Sequence, residues 1–122
     1  MATLWSRAGV ALVLILGAAC APRPSAQEQV DAQEAAALAP LKAAYPDIVV
    51  AFDMKGATQL DISIDANGYI STGDSDVDKF KATASRDWRT AWSAAHPHQH
   101  ALLTLRLVDF MGRTWVTEHV KA

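Results

Sequence analysis

Apolar residues recur along this chain at two different periods. From Ser25 to Tyr45 the sequence is rich in Ala, Gln and Glu, and Val30, Ala37, Leu38, Leu41, Ala44 and Tyr45 fall on one helical stripe. Pro40 interrupts that stretch and predicts a kink or two short helices; Pro46 ends it. From Asp47 the period becomes two. Ile48, Val50, Phe52 and Met54 alternate with Val49, Ala51 and Asp53, which predicts a strand. Lys55-Gly56-Ala57 reads as a turn, and Leu60, Ile62 and Ile64 then alternate with polar residues as a half-buried strand. Asp65-Ala66-Asn67-Gly68 predicts a hairpin turn, returning Tyr69 to Thr72 as a short third strand.

The helical period resumes after Gly73-Asp74-Ser75-Asp76, where Asp and Ser suit the free N–H groups of a helix start. Val77, Phe80, Ala84, Trp88, Ala91, Trp92 and Ala95 form one apolar stripe, with Lys79, Lys81, Ser85, Arg86, Arg89 and Ser93 largely off it. His96-Pro97 stops this helix. Two strands follow, Ala101 to Phe110 and Arg113 to Val120, joined by a Met111-Gly112 turn. On the last, Trp115, Thr117 and His119 share one face, and Val116 and Val120 the other.

These elements predict an α+β fold, ordered helix-strand-strand-(short strand)-helix-strand-strand. The hairpin connections imply an antiparallel sheet of four or five strands with the helices packed on one face. Asp53-Met54-Lys55-Gly56-Ala57-Thr58 and Asp109-Phe110-Met111-Gly112-Arg113-Thr114 echo each other as Asp, apolar, any, Gly, any, Thr. Duplication of a helix-plus-hairpin unit would explain the echo, and so would convergent turn chemistry.

One segment stands outside this pattern. Arg7 precedes an unbroken apolar run, Ala8 to Ala19, which is shorter than the roughly 18–20 residues needed to span a bilayer. The chain's single cysteine, Cys20, follows it, and Ala21-Pro22-Arg23-Pro24-Ser25-Ala26-Gln27 comes next, turn-forming and polar. This segment resembles a bacterial lipoprotein signal peptide with a lipobox-like cysteine. The resemblance covers residues 1–20 and implies residues 1–19 as signal peptide, 20–27 as lipidated cysteine and flexible tether, and 28–122 as a single small domain. It implies a covalent lipid on Cys20, a cell-membrane anchor and, from Ala21 after the cysteine, an outer membrane facing the periplasm in a Gram-negative host. Cleavage after the small-x-small Ala19-Cys20-Ala21 site is opposed by Pro22; an uncleaved N-terminal helix is the third reading. Two or more acyl chains on Cys20 give stable attachment, where one gives only marginal binding. With Cys20 lipidated no thiol remains, so the domain folds without disulfides.

Composition narrows function by exclusion. The formal charge of −2 becomes −3 if Arg7 leaves with the leader, and the remaining basic residues are scattered along the chain, Lys42, Lys55, Lys79, Lys81, Arg86, Arg89, Arg106 and Arg113 among them. Neither a nucleic-acid face nor a polybasic membrane patch is expected. There is no Gly-x-Ser-x-Gly elbow and no phosphate-cradling loop, so an enzyme is not expected, and no cofactor beyond the lipid. Asp74-x-Asp76-x-Asp78 resembles the opening of a Ca²⁺ loop, but Lys79 replaces the glycine at its sixth place and Ser85 the glutamate at its twelfth. The expected function is a membrane-anchored module that binds a protein or cell-envelope partner through its open sheet face or a strand edge, with Arg113, Trp115 and His119 as contact residues. The alternative is a Zn²⁺- or Cu²⁺-binding lipoprotein using His96-x-His98-x-His100, since alternate residues of an extended segment face one side. An inhibitor or immunity-type protein shares the binding-module physics.

Overall fold

Two long helices lie across one face of a four-stranded sheet in the computed structural model, which describes residues 25–122. The order is α1 (Ala26–Ala44), β1 (Val49–Met54), β2 (Gln59–Ile64), α2 (Ala66–Ser71), α3 (Asp74–Ala95), β3 (Leu102–Val108) and β4 (Thr114–Lys121). The expected signal peptide and Cys20 lie outside the described residues. The fold is α+β, as the two periods imply. Leu38 and Leu41 of α1, Phe80 and Trp88 of α3, and Leu60, Ile62, Leu103, Leu105 and Leu107 of the central strands are at most 1% exposed. Helix stripe and strand alternation thus meet in one core.

The sheet departs from the expected antiparallel arrangement at its centre. β1 and β2 pair antiparallel, as do β3 and β4, but β2 and β3 run parallel, with Asp61 opposite Arg106 and Ile62 opposite Leu107. Local turns set the direction within each hairpin, but the long connection through α2 and α3 can return the chain in either direction. The expected short strand at Tyr69 to Thr72 is a correction too: Ala66–Ser71 is helical. The Asp65 carboxylate caps α2, accepting from the backbone N–H groups of Asn67 (3.0 Å) and Gly68 (3.2 Å). Gly68 is needed for closeness rather than for a turn, because a Cβ there would collide with the Asp47 carbonyl.

Pro40 neither kinks nor splits α1, which is one helix of 19 residues. It sits on the exposed face, where water can serve the carbonyl its missing N–H leaves free. Ser25 caps this helix through a 3.1 Å bond from the Glu28 N–H. The buried stripe of α1 also holds a charge that the apolar reading passes over: Glu34 is 2% exposed, and its Oε2 has no hydrogen-bond partner. α3 begins at Gly73, without the side-chain cap expected from Asp74 and Ser75.

The two helix-plus-hairpin units are not copies. Both helices cover the same face, yet with the order β1-β2-β3-β4 and a parallel centre the second hairpin winds with the opposite hand to the first. Turn chemistry explains the echo: Gly56 (φ 98°) and Gly112 (φ 80°) both take the left-handed conformation.

Candidate docking surface

The sheet and its helices define two poles. At one, the Trp92 indole N–H at the end of α3 donates to the Ala57 carbonyl of the β1–β2 turn (2.9 Å), and Ala101 exchanges backbone bonds with Ala122. α1 starts here, because its other end meets the start of α3: Ala44, Tyr45, Asp47, Thr72 and Asp76 line one depression. We call this the proximal pole. The distal pole, roughly 28 Å away along the 19 residues of α1, carries α2, the first turn of α3 and the β3–β4 turn.

The uncovered sheet face is polar. Arg106 clamps Asp61 with two bonds, Nε to Oδ1 at 3.1 Å and Nη2 to Oδ2 at 3.0 Å, while the Gln59 amide donates to Oδ1 at 3.0 Å. Asp61 is 3% exposed although no helix covers it, because these partners lie over it. Asp53 pairs with Lys55 at the same face's rim. Such paired charges offer water little reason to leave, so this face is a poor docking surface.

Arg113, Trp115 and His119 do not form the single open-face patch expected of them. His119 is exposed and stands opposite Thr104. Trp115 sits at a β-bulge, where the register slips between Leu107 and Val108, and such an extra residue turns its side chain out of the alternation. Its ring packs edge-on against Tyr69 of α2 (centroids 5.6 Å apart), and it lines a depression with Val77 and Lys81 of α3. It belongs to the helix-bearing side, yet remains 37% exposed. A matching slip lies between Val49 and Ala51, and Val50 there is exposed.

Asp109 organises this end of β3. Its carboxylate accepts from the backbone N–H groups of Met111 (2.9 Å) and Arg113 (3.0 Å), from Arg113 Nε (2.9 Å) and from Trp115 Nε1 (3.0 Å). Its pKa is pushed down to about 2, chiefly by the Trp115 bond, and the Arg113 and Met111 bonds help outweigh burial, which acts the other way. A carboxylate with a depressed folded pKa stabilises the fold above its ordinary value of 3.8, and loses that contribution as pH falls toward 2. Asp109→Ala is expected to raise amide hydrogen exchange at Met111 and Arg113 by about tenfold, because it removes the Oδ1 that accepts from both. Unchanged exchange at both amides would show that the turn holds itself.

The β3–β4 turn held by Asp109 projects two apolar side chains into solvent: Phe110 is 90% exposed and Met111 66%. With Val50, Ile70 and Trp115 they place five of the six large exposed apolar residues among the described residues at the distal pole. Two depressions flank α2 there. One, about 370 Å³, is lined by Val50, Ile64 and Phe110; the other, about 450 Å³, by Tyr69, Ile70, Val77 and Trp115 with Asp74 and Asp78. The sequence signal for this surface was the Phe110-Met111 pair at a turn tip, which the alternation counted as strand end.

The histidines lie at the proximal pole and go separate ways. His96 stacks on Trp92 with its Nδ1 3.0 Å from the Trp92 carbonyl, His98 takes a left-handed φ of 63°, and His100 Nδ1 lies 3.2 Å from the Ala122 carbonyl. Among the described residues no three His, Cys, Asp or Glu side chains converge as a metal site, and no helix is long and apolar enough to cross a membrane. Compared with protein-family models, curated proteins and solved structures, the chain matches none.

Proposed function

We propose that this chain is a membrane-anchored, non-enzymatic docking module that holds a protein partner of the cell envelope at its distal pole. The observation that carries this reading is the separation of ends. α1 starts at the proximal pole, so a lipid on Cys20 would tether the domain there, and the exposed cluster of Val50, Ile70, Phe110, Met111 and Trp115 would face away from the membrane. Clustered apolar exposure on a small domain marks an interaction surface, because scattering the same residues would avoid association. Tethering raises the module's effective concentration toward a partner in the same compartment. In an outer-membrane location the distal pole would reach into the periplasm.

The test is site-specific photo-crosslinking in cells. Benzoylphenylalanine replaces Phe110 in one chain and, as a control at the opposite pole, His98 in another; each is made with and without Cys20→Ser. A discrete protein adduct from position 110 alone, reduced several-fold by Cys20→Ser, is the expected result. Equal adducts from both poles, or none from position 110, would end the docking reading.

A further inference from the structure

The charges around the distal cluster narrow the partner's chemistry. We infer that the distal pole receives a protein segment that combines apolar side chains with lysine or arginine, its apolar groups filling the two depressions beside α2 and its cations meeting the surrounding aspartates. This inference rests on the docking reading above and adds the partner's chemistry to it.

The apolar half of the argument is shape. α2 stands as a short ridge between a depression lined by Val50, Ile64 and Phe110 and one whose apolar wall is Tyr69, Ile70, Val77 and Trp115, with Asp74, Asp78 and the Asp78-paired Lys81 at its polar side. A segment crossing the ridge would place one apolar side chain on each side. Aromatic anchors such as Phe110 and Trp115 are the residue types that carry binding energy once water is excluded.

The polar half is sign. Asp47, Asp65, Asp74, Asp76 and Asp78 all belong to the distal pole and are exposed. Three of the cations near them are already engaged, Lys79 with Asp76 (4.0 Å), Lys81 with Asp78 (3.4 Å) and Arg113 with Asp109 (2.9 Å); Lys42, in the last turn of α1, forms no ion pair among the described residues, and the acids still outnumber the cations at this pole. Among the described residues Asp47 and Asp74 have no cation partner, and Asp74 lies in the wall of the larger depression. The Asp65 carboxylate is held by the α2 amides but keeps its charge at the ridge's foot. The start of α3 offsets about half a charge, leaving the rim negative. Complementary potential across an interface selects the partner and speeds encounter, while an acidic partner would meet like charge. The same sign argues against an anionic lipid surface as the occupant.

The experiment uses the full chain in zwitterionic phospholipid nanodiscs, with empty nanodiscs as background. Two fluorescein-labelled decapeptides serve as probes, one alternating Arg and Leu, the other Glu and Leu. The Arg–Leu peptide is expected to bind saturably and the Glu–Leu peptide at least tenfold more weakly. Asp74→Asn should weaken Arg–Leu binding about threefold and Phe110→Ser about tenfold, as expected for a rim charge and a central anchor. Equal binding of both peptides, or indifference to Asp74→Asn, overturns the inference. If position 110 still crosslinks to protein in cells, the docking reading survives that failure; if it does not, both fall. A phospholipid adduct at position 110 would overturn the protein partner itself.

Discussion

Trp88→Ala is expected to destabilise the domain by about 3–5 kcal/mol, the cost of deleting a large buried aromatic and leaving a cavity. Trp88 is 0% exposed and sits mid-stripe on α3, between the packed residues Ala84 and Ala91 and above the central strands. A single domain of this size holds roughly 5–15 kcal/mol in total, so the variant would lie near the edge of folding. The indole gives the experiment a second arm. Its Nε1 is buried without a hydrogen-bond partner, whereas Trp92 donates its own to Ala57. Trp88→Phe loses volume but also removes that orphan donor, so it is expected within about 1.5 kcal/mol of the parent. Urea unfolding followed by circular dichroism separates the two. A small loss on Trp88→Ala would mean that α3 packs through Phe80 and Trp92 alone.

Glu34→Gln is expected to make the domain more stable at pH 8 and to change little at pH 4. Burial raises the Glu34 carboxyl from 4.5 to about 7; the nearby charge of His96 opposes the shift and Asp31 adds to it. Because the folded pKa is the higher one, the stabilising contribution is complete below about pH 4.5 and is lost as pH rises through 7. The loss is on the order of 3 kcal/mol, taking each pKa unit as about 1.4 kcal/mol. Gln removes the titration while keeping the shape. Melting temperatures across pH 4 to 8 decide it: a slope that persists in the Gln variant would place its cause elsewhere. Glu34 is thus a fault in an otherwise apolar seam, midway along α1.

The sequence disclosed most where a periodic stripe meets a single partner surface. The α3 stripe from Phe80 to Trp92 and the β2 set Leu60, Ile62 and Ile64 came out buried as the spacing implies. It disclosed least where two structures share one local signal. Asn67-Gly68 suits a hairpin turn, but the position was decided by the approach of the Asp47 carbonyl, which no local reading contains. Alternation placed Trp115 beside His119, and one bulge moved it to the other side of the sheet. The parallel centre depends on pairing across a connection of two helices, and Glu34 on burial that its own helix does not reveal. For the candidate surface, Arg113 and Trp115 meet at the Asp109 carboxylate of the distal pole, whereas His119 stands apart on the open sheet face. Phe110 and Met111 carry no signal in the alternation because a turn tip has no period.

The parallel centre of the sheet also governs the order in which this protein can assemble. Each hairpin closes a short loop and can form within microseconds of its strands becoming free. Joining them means bringing Asp61 to Arg106 across 45 residues, a closure that local turns do nothing to assist. Until β3 is made, β2 presents an unpaired inner edge flanked by Leu60 and Ile62, with nothing yet in place to cover it. The first half of the chain therefore spends its youth as an incomplete sheet, open to any other strand, and synthesis of the last hairpin is what closes that interval.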